Sequence, residues 1–444
     1  MTFYSPVFLF AFLPVTAVLY RSVRSDSLRR AIWVLSGLVF YAFGDIRHVP
    51  LLLAFCALHY AVGRFLRTAK KGRRPALFAC ILLDLAVLFF YKSKGALPFG
   101  ISVFTFQAIS YVVDVSRDPE SGTQSFWEVL QYLTFFPQLT AGPFAKFGTL
   151  RPQFTQPEVS WDDGAKGIRR FVCGLTKKLV LSAAAAKLSD AMFALVQIDA
   201  LGAWLGAISY CLQLYFDFSG YSDMAIGLGL LFGVRLPENF NYPYTAGSVT
   251  EFWRRWHISL SHWFRDYLYI PLGGSRKGTA RTVLNKLAVF LATGLWHGTG
   301  LSFVFWGLWH GLFCSLETVF DRKKTLSRHW YGHIYTLLVV IFGFVLFRAE
   351  SLPQAGVMLR AMLTGFAPID ACRLMIRNLL TAREVFFLLA GIFACLPVWP
   401  KIRGKLEGKR APELLLDGVS VLAFLVCAAQ LASNSFQPFI YAGF

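Results

Sequence analysis

Acidic residues are scarce in this sequence, and charged residues of either sign are few. Asp and Glu number 25 against 44 Lys and Arg, and charged residues make up 16% of the chain, whereas 56% of its residues are hydrophobic. A soluble domain usually carries about a quarter charged residues. The composition therefore argues against a soluble protein and predicts that a lipid bilayer surrounds much of the chain.

Paired cysteines and the spacings of a metal site are also missing. The eight cysteines include no CxxC pair. His257, His262, His297 and His310 show no HxxxH spacing, and few carboxylates are near them in sequence. This favours buried, reduced thiols over a disulfide framework, and we predict no metal site and no bound cofactor. The first residues, MTFYSPVFLF, lack the basic region of a cleaved signal, so they are interpreted as a retained membrane segment.

What the sequence does contain is a series of apolar blocks separated by short charged loops. Many blocks approach the roughly 20 residues that cross a hydrocarbon core. Examples are Ile32–Phe43, Leu51–Val62, Pro75–Tyr91, Leu337–Phe347, Val385–Val398 and Leu414–Ala432. The predicted fold is an all-α multi-pass membrane protein with about eleven or twelve transmembrane helices, and with re-entrant or interfacial helices around a central site.

The net charge of +19 raises the question of nucleic acid binding, but the basic residues sit at the ends of the apolar blocks. They cluster at Arg21–Arg30, Arg64–Arg74, Arg322–Lys324 and Lys401–Arg410. This is the positive-inside pattern of a multi-pass membrane protein. We therefore expect no nucleic acid partner, a bacterial cytoplasmic (inner) membrane location, and both termini on the extracytoplasmic side.

The first departure from ordinary membrane sequence is TFFPQLTAGPFAKF, Thr134–Phe147. Pro137 and the Gly142-Pro143 pair would break a helix. Broken backbone at membrane depth is tolerated only inside protein or beside a water-filled cavity. A re-entrant turn and an interfacial loop both fit this stretch.

Two aspartates in apolar sequence mark the second departure, Tyr210–Val234. Asp217 and Asp223 lie six positions apart, so an unbroken helix would point them to different faces, and Gly220 is a candidate break. Each Asp either belongs to a site or has a structural role, as a helix cap or as the partner of an Arg.

The third departure is SVTEFWRRWHISLSHWFRDYLYIPLGGSRKG, Ser248–Gly278. Ser248 and Glu251 form a predicted capping box. A continuous helix from there to Pro271 would carry an aromatic stripe on one face and a polar line on another. The polar line contains Arg254, His257, Ser261 and Arg265. An interfacial helix explains the arginines, but it explains His257 less well.

The pentapeptide GLWHG occurs twice, and places His297 and His310 in apolar surroundings. A helix over Asn285–Trp296 is expected to end at His297 and Gly298, and a second helix is expected from Leu301. A neutral imidazole is inexpensive to keep in a membrane interior and suits general-base catalysis. For His310, within an aromatic run, a hydrogen-bonded packing role is favoured.

Taken together, these stretches resemble the membrane-bound O-acyltransferase (MBOAT) family, and most of all its bacterial branch that acts on alginate or on teichoic acid. The likeness extends over most of the chain. It rests on GISVFTFQAISYVVDV, FFPQLTAGP, QLYFDFSGYSDMAIGLG, NFNYPY, FWRRWHISLSHWFRDYLYIPLGG, NKLAVFLATGLWHG and the ending NSFQPFIYAGF. It implies one domain, 1–444, with N-terminal helices in 1–115, a catalytic core in 116–320 and C-terminal helices in 321–444.

The resemblance also implies a reaction and assigns residues to it. The signature histidine of the family matches His297, which would take the proton from the acceptor hydroxyl. The family has a second polar position upstream of its signature histidine. It matches His257, which would orient a substrate or stabilise the oxyanion. Asp217 and Asp223 are supporting candidates that would fix an imidazole tautomer, and Arg254 and Ser261 complete the candidate site. Interrupted helices around Pro143, Gly220 and Gly298 would let both substrates reach one histidine.

The implied substrates are an acyl thioester and a hydroxyl on an exported molecule. The alginate-type likeness favours acetyl, with acetyl-coenzyme A or an acyl-carrier thioester as donor. The acceptor is an exported polysaccharide or a separate extracytoplasmic O-acetyltransferase. The alternatives are D-alanyl transfer to teichoic acid from a carrier protein, a transporter, or an export scaffold that needs neither His297 nor His257.

Overall fold

The computed structural model describes residues 1–95, 97–321, 323, 325–406 and 410–433, and within these ranges the chain is all-helical with no β-strand. The predicted all-α class is confirmed. The motif NSFQPFIYAGF, the ends of the basic cluster Arg322–Lys324 and residues 407–409 of the last basic cluster lie outside the described residues.

Five helical segments of the described chain are long and apolar enough to cross a membrane. They are Asp26–Thr68, Arg73–Lys94, Leu301–Phe320, Trp330–Arg348 and Ala411–Ala432. These segments expose many large apolar side chains, as lipid-facing helices do. The chain is thus an integral membrane protein, while the count of about eleven or twelve crossings stays a prediction.

The described residues divide into two compact units. Unit 1 comprises Met1–Leu175 and Tyr221–Glu238. The helices of its first segment are α1 Leu13–Ser22, α2 Asp26–Asp45, α3 Val49–Thr68, α4 Arg73–Lys94, α5 Ile101–Arg117, α6 Phe126–Thr134, α7 Phe136–Leu139, α8 Phe147–Thr155 and α9 Trp161–Thr176. A π-helical turn, Phe8–Phe12, leads into α1, and 3-10 turns lie at Ile46–His48 and Pro119–Ser121. The predicted domain division at residues 115 and 320 stays a prediction.

The core of unit 1 is aromatic and forms around the predicted helix break. Phe136 lies 5.5 Å from Phe40, centroid to centroid, and Phe135 lies 4.8 Å from Trp33. The backbone between α7 and α8 is irregular, and both Gly142 and Pro143 are buried within it. The predicted interruption at Pro143 is confirmed, and the Gly-Pro pair at the break is buried in protein.

Unit 2 comprises Thr176–Gly220 and Asn239–Ile440, of which residues up to 433 are described. Its helices are α10 Ala183–Phe193, α11 Ala200–Leu231, α12 Val249–Arg255, α13 Ile258–Phe264, α14 Gly278–His297, α15 Leu301–Phe320, α16 Trp330–Arg348, α17 Leu352–Thr364, α18 Asp370–Leu379, α19 Ala382–Ala394, α20 Val398–Leu406 and α21 Arg410–Ala432. The π-helical segments Lys177–Ser182 and Arg265–Tyr269 and the 3-10 turns Pro243–Thr245 and Leu326–Arg328 join them.

The long helix α11 runs through Gly220 without interruption, and it continues from unit 2 into unit 1. The predicted break at Gly220 is therefore wrong. A glycine in a helix interior costs only about 1 kcal/mol relative to alanine. Every residue from Ser209 to Gly229 is buried, so packing on all faces outweighs this cost.

The predicted continuous helix after Ser248 is also wrong, because it divides at His257. Trp256 is extended, and His257 adopts a left-handed conformation with φ 43°. The helical wheel that placed Arg254, His257 and Ser261 on one line therefore does not apply. Helix α12 ends at Arg255 and α13 begins at Ile258.

The start of α12 is confirmed, with an additional cap from another helix. The Glu251 N–H donates to Ser248 Oγ at 3.1 Å, while the Glu251 carboxylate accepts from the Gly247 N–H at 3.0 Å. The N–H groups of Val249 and Thr250 donate to the two carboxylate oxygens of Glu317 on α15, at 2.6 and 2.9 Å. A carboxylate at a helix N-terminus satisfies donors that have no partner inside the helix.

The first glycines of the two GLWHG copies bring α14 and α15 into close contact. A Cβ atom added at Gly294 would overlap the carbonyl oxygen of Phe303, and one added at Gly307 would overlap the carbonyl oxygen of Phe290. The same Cβ positions lie 3.6 and 3.4 Å from the Cα atom of the other glycine. The repeated pentapeptide thus builds a small-residue helix contact, which lets two membrane helices approach closely.

We predict that Gly294→Ala and Gly307→Ala each destabilise the protein. The added methyl must displace backbone, and overpacking of this kind costs about 1–3 kcal/mol. Thermal unfolding of the detergent-solubilised protein should show a lower midpoint for both variants. Gly356→Ala is the matched control, because a Cβ there meets nothing within 4 Å; an equal loss in this variant would contradict the packing account.

Candidate active site

His297 is the last residue of α14 and lies where the helix stops. The Gly298 N–H donates to the Gly294 carbonyl oxygen at 3.2 Å, and α15 begins after Gly300, at Leu301. The predicted helix end is confirmed, although α14 starts at Gly278, before the predicted start at Asn285. A helix C-terminus carries partial negative charge, so this position favours a positive charge on the imidazole during proton transfer.

Aromatic rings surround the His297 imidazole, which is 4% exposed. The ring centroids of Trp296, Trp306 and Phe347 lie 4.8, 5.0 and 5.1 Å from its own. These rings exclude water and lower the local dielectric, which strengthens electrostatic interactions at the imidazole. The surroundings suit a histidine that exchanges a proton with a bound substrate.

His310, the second histidine of the pentapeptide pair, also lies beside Trp306. Its ring centroid is 5.5 Å from that of Trp306 and 5.0 Å from that of Trp253, and it is fully buried. Neither ring nitrogen has a hydrogen-bond partner among the described residues. His310 is thus packed among aromatic rings, and the predicted hydrogen bonding is not found among the described residues. A packing role for His310 stays a prediction.

His257 occupies the turn between α12 and α13, and Asn239 holds it there. The Asn239 backbone carbonyl accepts from the Ile258 N–H at 2.9 Å. Asn239 Oδ1 accepts from the Ser259 N–H at 3.1 Å and from Ser259 Oγ at 2.9 Å. The Asn239 side chain therefore caps α13 from outside the helix, a task that a residue at the cap position usually performs.

The same oxygen determines the tautomer of His257. Asn239 Oδ1 lies 3.2 Å from His257 Nδ1. The Ser259 N–H can only donate, so the amide atom that it contacts is the oxygen, and Nδ1 must carry the proton to bond to it. In the neutral ring, Nε2 is then the atom that accepts a proton or a hydrogen bond. The ring is 4% exposed and packs edge-on against Phe218 at 4.5 Å.

The left-handed backbone of His257 is uncommon for a residue with a side chain. Among the described residues, only His257 and Tyr242 combine a side chain with positive φ. Such a conformation costs of order 1–3 kcal/mol and persists where the surroundings impose it. The three bonds from Asn239 to the Ile258 and Ser259 groups impose it here, and they set the direction of the imidazole.

Asp217 is fully buried in α11 and pairs with Lys178, which is also buried. The ion pair neutralises both charges inside the protein, as buried charges require. This supports the structural interpretation of Asp217, with Lys in place of the expected Arg. The neighbouring residue Phe218 is the one that contacts His257.

Asp223 lies in unit 1 and pairs with an arginine, as the structural interpretation expects. Arg170 Nε donates to Asp223 Oδ1 at 2.7 Å. The same guanidinium binds the Glu238 carboxylate through two nitrogens, at 3.1 and 2.7 Å. A role of Asp217 or Asp223 in fixing an imidazole tautomer stays a prediction.

Arg254 and Ser261 differ in their surroundings. Arg254 is exposed. Ser261 Oγ donates to the backbone carbonyls of Trp253 and Trp256, at 3.1 and 3.4 Å, and so ties α13 to the end of α12. Its contacts support the turn that carries His257.

The structure thus places His257 and His297 in one unit, each with its own set of partners. The partners of His257 described above are Asn239 and Phe218, and those of His297 are aromatic rings of α14, α15 and α16. The sequence analysis did not select Asn239 as a site residue, although Asn239 begins the family motif NFNYPY. A buried polar residue 18 positions from His257 gives no periodic signal that connects the two.

Comparison with known proteins adds a family to this geometry. The model of the MBOAT, membrane-bound O-acyltransferase family matches residues 38–352. A probable alginate O-acetylase of Pseudomonas fluorescens is 41% identical, over 82% of this chain and 75% of its own length.

Relatives of lower identity are named for peptidoglycan and for teichoic acid. A peptidoglycan O-acetyltransferase of Helicobacter pylori is 33% identical, over 84% of this chain and 82% of its own length. A teichoic acid D-alanyltransferase of Bacillus subtilis is 27% identical, over 56% of this chain and 68% of its own length. The family match spans α14 with its terminal histidine, α15 and the turn at His257. The chain is a member of the membrane-bound O-acyltransferase family, and it is an O-acyltransferase.

Proposed function

We propose that this protein moves an acetyl group from a cytoplasmic thioester to a hydroxyl on the extracytoplasmic side. The donor is acetyl-coenzyme A or an acyl-carrier thioester. The acceptor is an exported polysaccharide, or a partner O-acetyltransferase that passes the group on. The observation that carries the proposal is His297, which ends α14 in a water-poor aromatic surrounding.

In the proposed reaction, His297 is the general base. The acceptor O–H gives its proton to the imidazole as its oxygen attacks the thioester carbonyl. The tetrahedral intermediate then collapses, the C–S bond breaks, and the imidazolium returns the proton to the leaving thiolate. The C-terminal end of α14 stabilises the transient imidazolium, and such a base contributes about 10²- to 10⁴-fold in rate.

His257 is proposed to orient a substrate or to stabilise the oxyanion of the tetrahedral intermediate. Since Nδ1 bonds to Asn239, Nε2 is the nitrogen through which the ring would bind a substrate. A neutral Nε2 would accept a hydrogen bond from a substrate donor other than the O–H that gives its proton to His297, and would so orient the substrate. When Nε2 is protonated, it donates to the oxyanion of the tetrahedral intermediate.

Acetyl is favoured over D-alanyl by the relatives. The probable alginate O-acetylase is 41% identical to this chain, and the teichoic acid D-alanyltransferase is 27% identical. The second candidate function is therefore D-alanyl transfer from a carrier protein. A transporter or an export scaffold is the third, and neither would need a base at His297.

The proposed membrane orientation follows from the basic loops. Arg21–Arg30 leads into α2, and Arg64–Arg74 joins α3 to α4. Two helices separate these clusters, so two crossings would return the second cluster to the side of the first. We propose that this side is the cytoplasm and that both termini are extracytoplasmic.

The role of His297 as general base is tested by making the same substitution separately at the histidine of each GLWHG copy. We predict that His297→Phe lowers acetyl transfer from labelled acetyl-coenzyme A in membrane vesicles by about 10²-fold or more. His310→Phe keeps an aromatic ring and removes two nitrogens that bond to no described residue, so its activity should stay within a few-fold of wild type. Immunoblots of both variants control for protein level. Equal acetyl transfer in wild type and His297→Phe would exclude His297 as the general base and favour an export scaffold.

Asn239 is tested through the tautomer that it imposes. Asn239→Leu removes the acceptor for Nδ1 and should lower kcat about 10-fold or more, through misorientation of His257. Asn239→Asp keeps an acceptor oxygen and should retain more activity than the Leu variant. The pH–rate profile is the decisive measurement, because the carboxylate would favour a protonated His257 and shift the profile. Identical profiles and rates in all three proteins would contradict the assignment.

The acyl group is tested by donor competition. Purified protein in proteoliposomes is given either labelled acetyl-coenzyme A or a labelled D-alanyl carrier thioester, with permeabilised cell envelope as acceptor. We predict an alkali-labile acetyl ester and no D-alanyl ester. The reverse result would assign the protein to D-alanyl transfer.

A further inference from the structure

Three buried side chains with metal-binding atoms meet between α3 and α4 of unit 1. None of them belongs to the candidate active site. They are His59 from α3 and Cys80 and Asp84 from α4, with exposed fractions of 0%, 4% and 0%. Their candidate ligand atoms all lie within 4.8 Å of one another. Both helices belong to segments that are long and apolar enough to cross a membrane.

The histidine is held in the tautomer that a metal requires. His59 Nδ1 donates to the backbone carbonyl of Phe55 at 2.8 Å, and a carbonyl can only accept. The proton of the neutral ring is therefore on Nδ1, and Nε2 presents a lone pair toward Cys80 and Asp84. A metal-binding histidine characteristically donates its other ring N–H to a carbonyl or carboxylate in this way.

The distances are within about half an ångström of the edges of a metal coordination tetrahedron. Zn²⁺ bonds of about 2.0–2.3 Å to N, O and S place neighbouring ligands about 3.4–3.6 Å apart. His59 Nε2 lies 3.0 Å from Asp84 Oδ2 and 3.7 Å from Cys80 Sγ, and Sγ lies 4.0 Å from Oδ2. Shifts of a few tenths of an ångström would bring all three atoms onto one ion.

One atom of the cluster has no hydrogen-bond partner. Asp84 Oδ1 is buried and accepts no bond from any described residue. A buried carboxylate oxygen without a partner is costly, and in a membrane-spanning helix it marks a function. A cation bound between the three side chains would give this oxygen a partner as well.

Charge balance also favours a divalent ion here. A thiolate, a carboxylate and a neutral imidazole together carry two negative charges, which one divalent cation neutralises. Inside a bilayer a neutral assembly is far less costly than an isolated charge. The mixture of sulfur, imidazole and carboxylate ligands selects Zn²⁺ over Mg²⁺ or Ca²⁺, which prefer oxygen ligands alone.

We propose that His59, Cys80 and Asp84 bind one Zn²⁺ ion that clamps α3 to α4. The ion is structural: it joins the two helices near their midpoints. The proposal is independent of the acyl-transfer function, and it departs from the prediction of no metal site. That prediction rested on histidine spacing and on cysteine pairs, and neither pattern detects ligands drawn singly from two helices.

The first test is the metal content of purified wild-type protein. We expect about one zinc per chain by mass spectrometry of the metals, after removal of loosely bound ions. Protein made in cobalt-supplemented medium should show thiolate-to-Co²⁺ charge-transfer absorption in the near ultraviolet. Wild-type protein that contains no zinc and takes up no cobalt would overturn the proposal and leave a proton-sharing His59–Asp84 pair.

Variants then assign the ligands. Cys80→Ser and Asp84→Asn should lose the zinc and the cobalt absorption. Cys56→Ser is the matched control, because Cys56 is an equally buried cysteine of α3 that is not among the three ligands, and it should keep both. Loss of zinc in all three variants, or retention of zinc in all three, would contradict the assignment of the ligands.

A stability measurement covers the case in which a ligand variant folds poorly. Prolonged chelation should lower the thermal midpoint of wild type and of Cys56→Ser by about 5 °C or more. The ligand variants should unfold at the same temperature with and without chelator. A wild-type midpoint that chelation leaves unchanged would show that no ion clamps the two helices.

Discussion

The contact between Gly294 and Gly307 is the constraint on which the candidate active site depends. It brings α14 and α15 so close that neither position has space for a side chain. His297 then ends α14 beside Trp306, and His310 packs against the same indole. The repeated pentapeptide is thus one packing device with two unlike histidines, of which only the first ends a helix.

A second constraint positions the other histidine. Asn239 holds His257 in a left-handed turn and caps the helix that follows, so one side chain fixes both the backbone and the tautomer of the imidazole. The N-terminus of α12 is anchored by Glu317 of α15, which connects this turn to the helix that packs against His297. Membrane enzymes need such fixed polar groups, because the bilayer offers no water to satisfy groups that point wrongly.

The sequence predicts much of this and fails at identifiable points. Apolar blocks, the capping box at Ser248, the break at Pro143 and the helix end at His297 follow from local chemistry, and the structure confirms them. Gly220 fails as a break because burial around α11 outweighs a propensity of about 1 kcal/mol. At His257 the prediction is wrong in the opposite sense, because a helix is predicted there and the chain leaves it. Asn239, from a distant part of the chain, supplies hydrogen bonds that hold His257 in a left-handed turn. Lys178 and Asn239 are partners that no periodicity connects to Asp217 and His257.

The central claim is that the His297 imidazole is in contact with the reacting groups. A structure of the protein with a non-reactive thioether analogue of the acyl donor and a bound acceptor would test it most directly. The account predicts the acceptor oxygen about 2.6–3.2 Å from a His297 nitrogen and about 3–3.5 Å from the carbonyl carbon. An acyl group that binds well away from His297, with another side chain in contact with the acceptor hydroxyl, would contradict it.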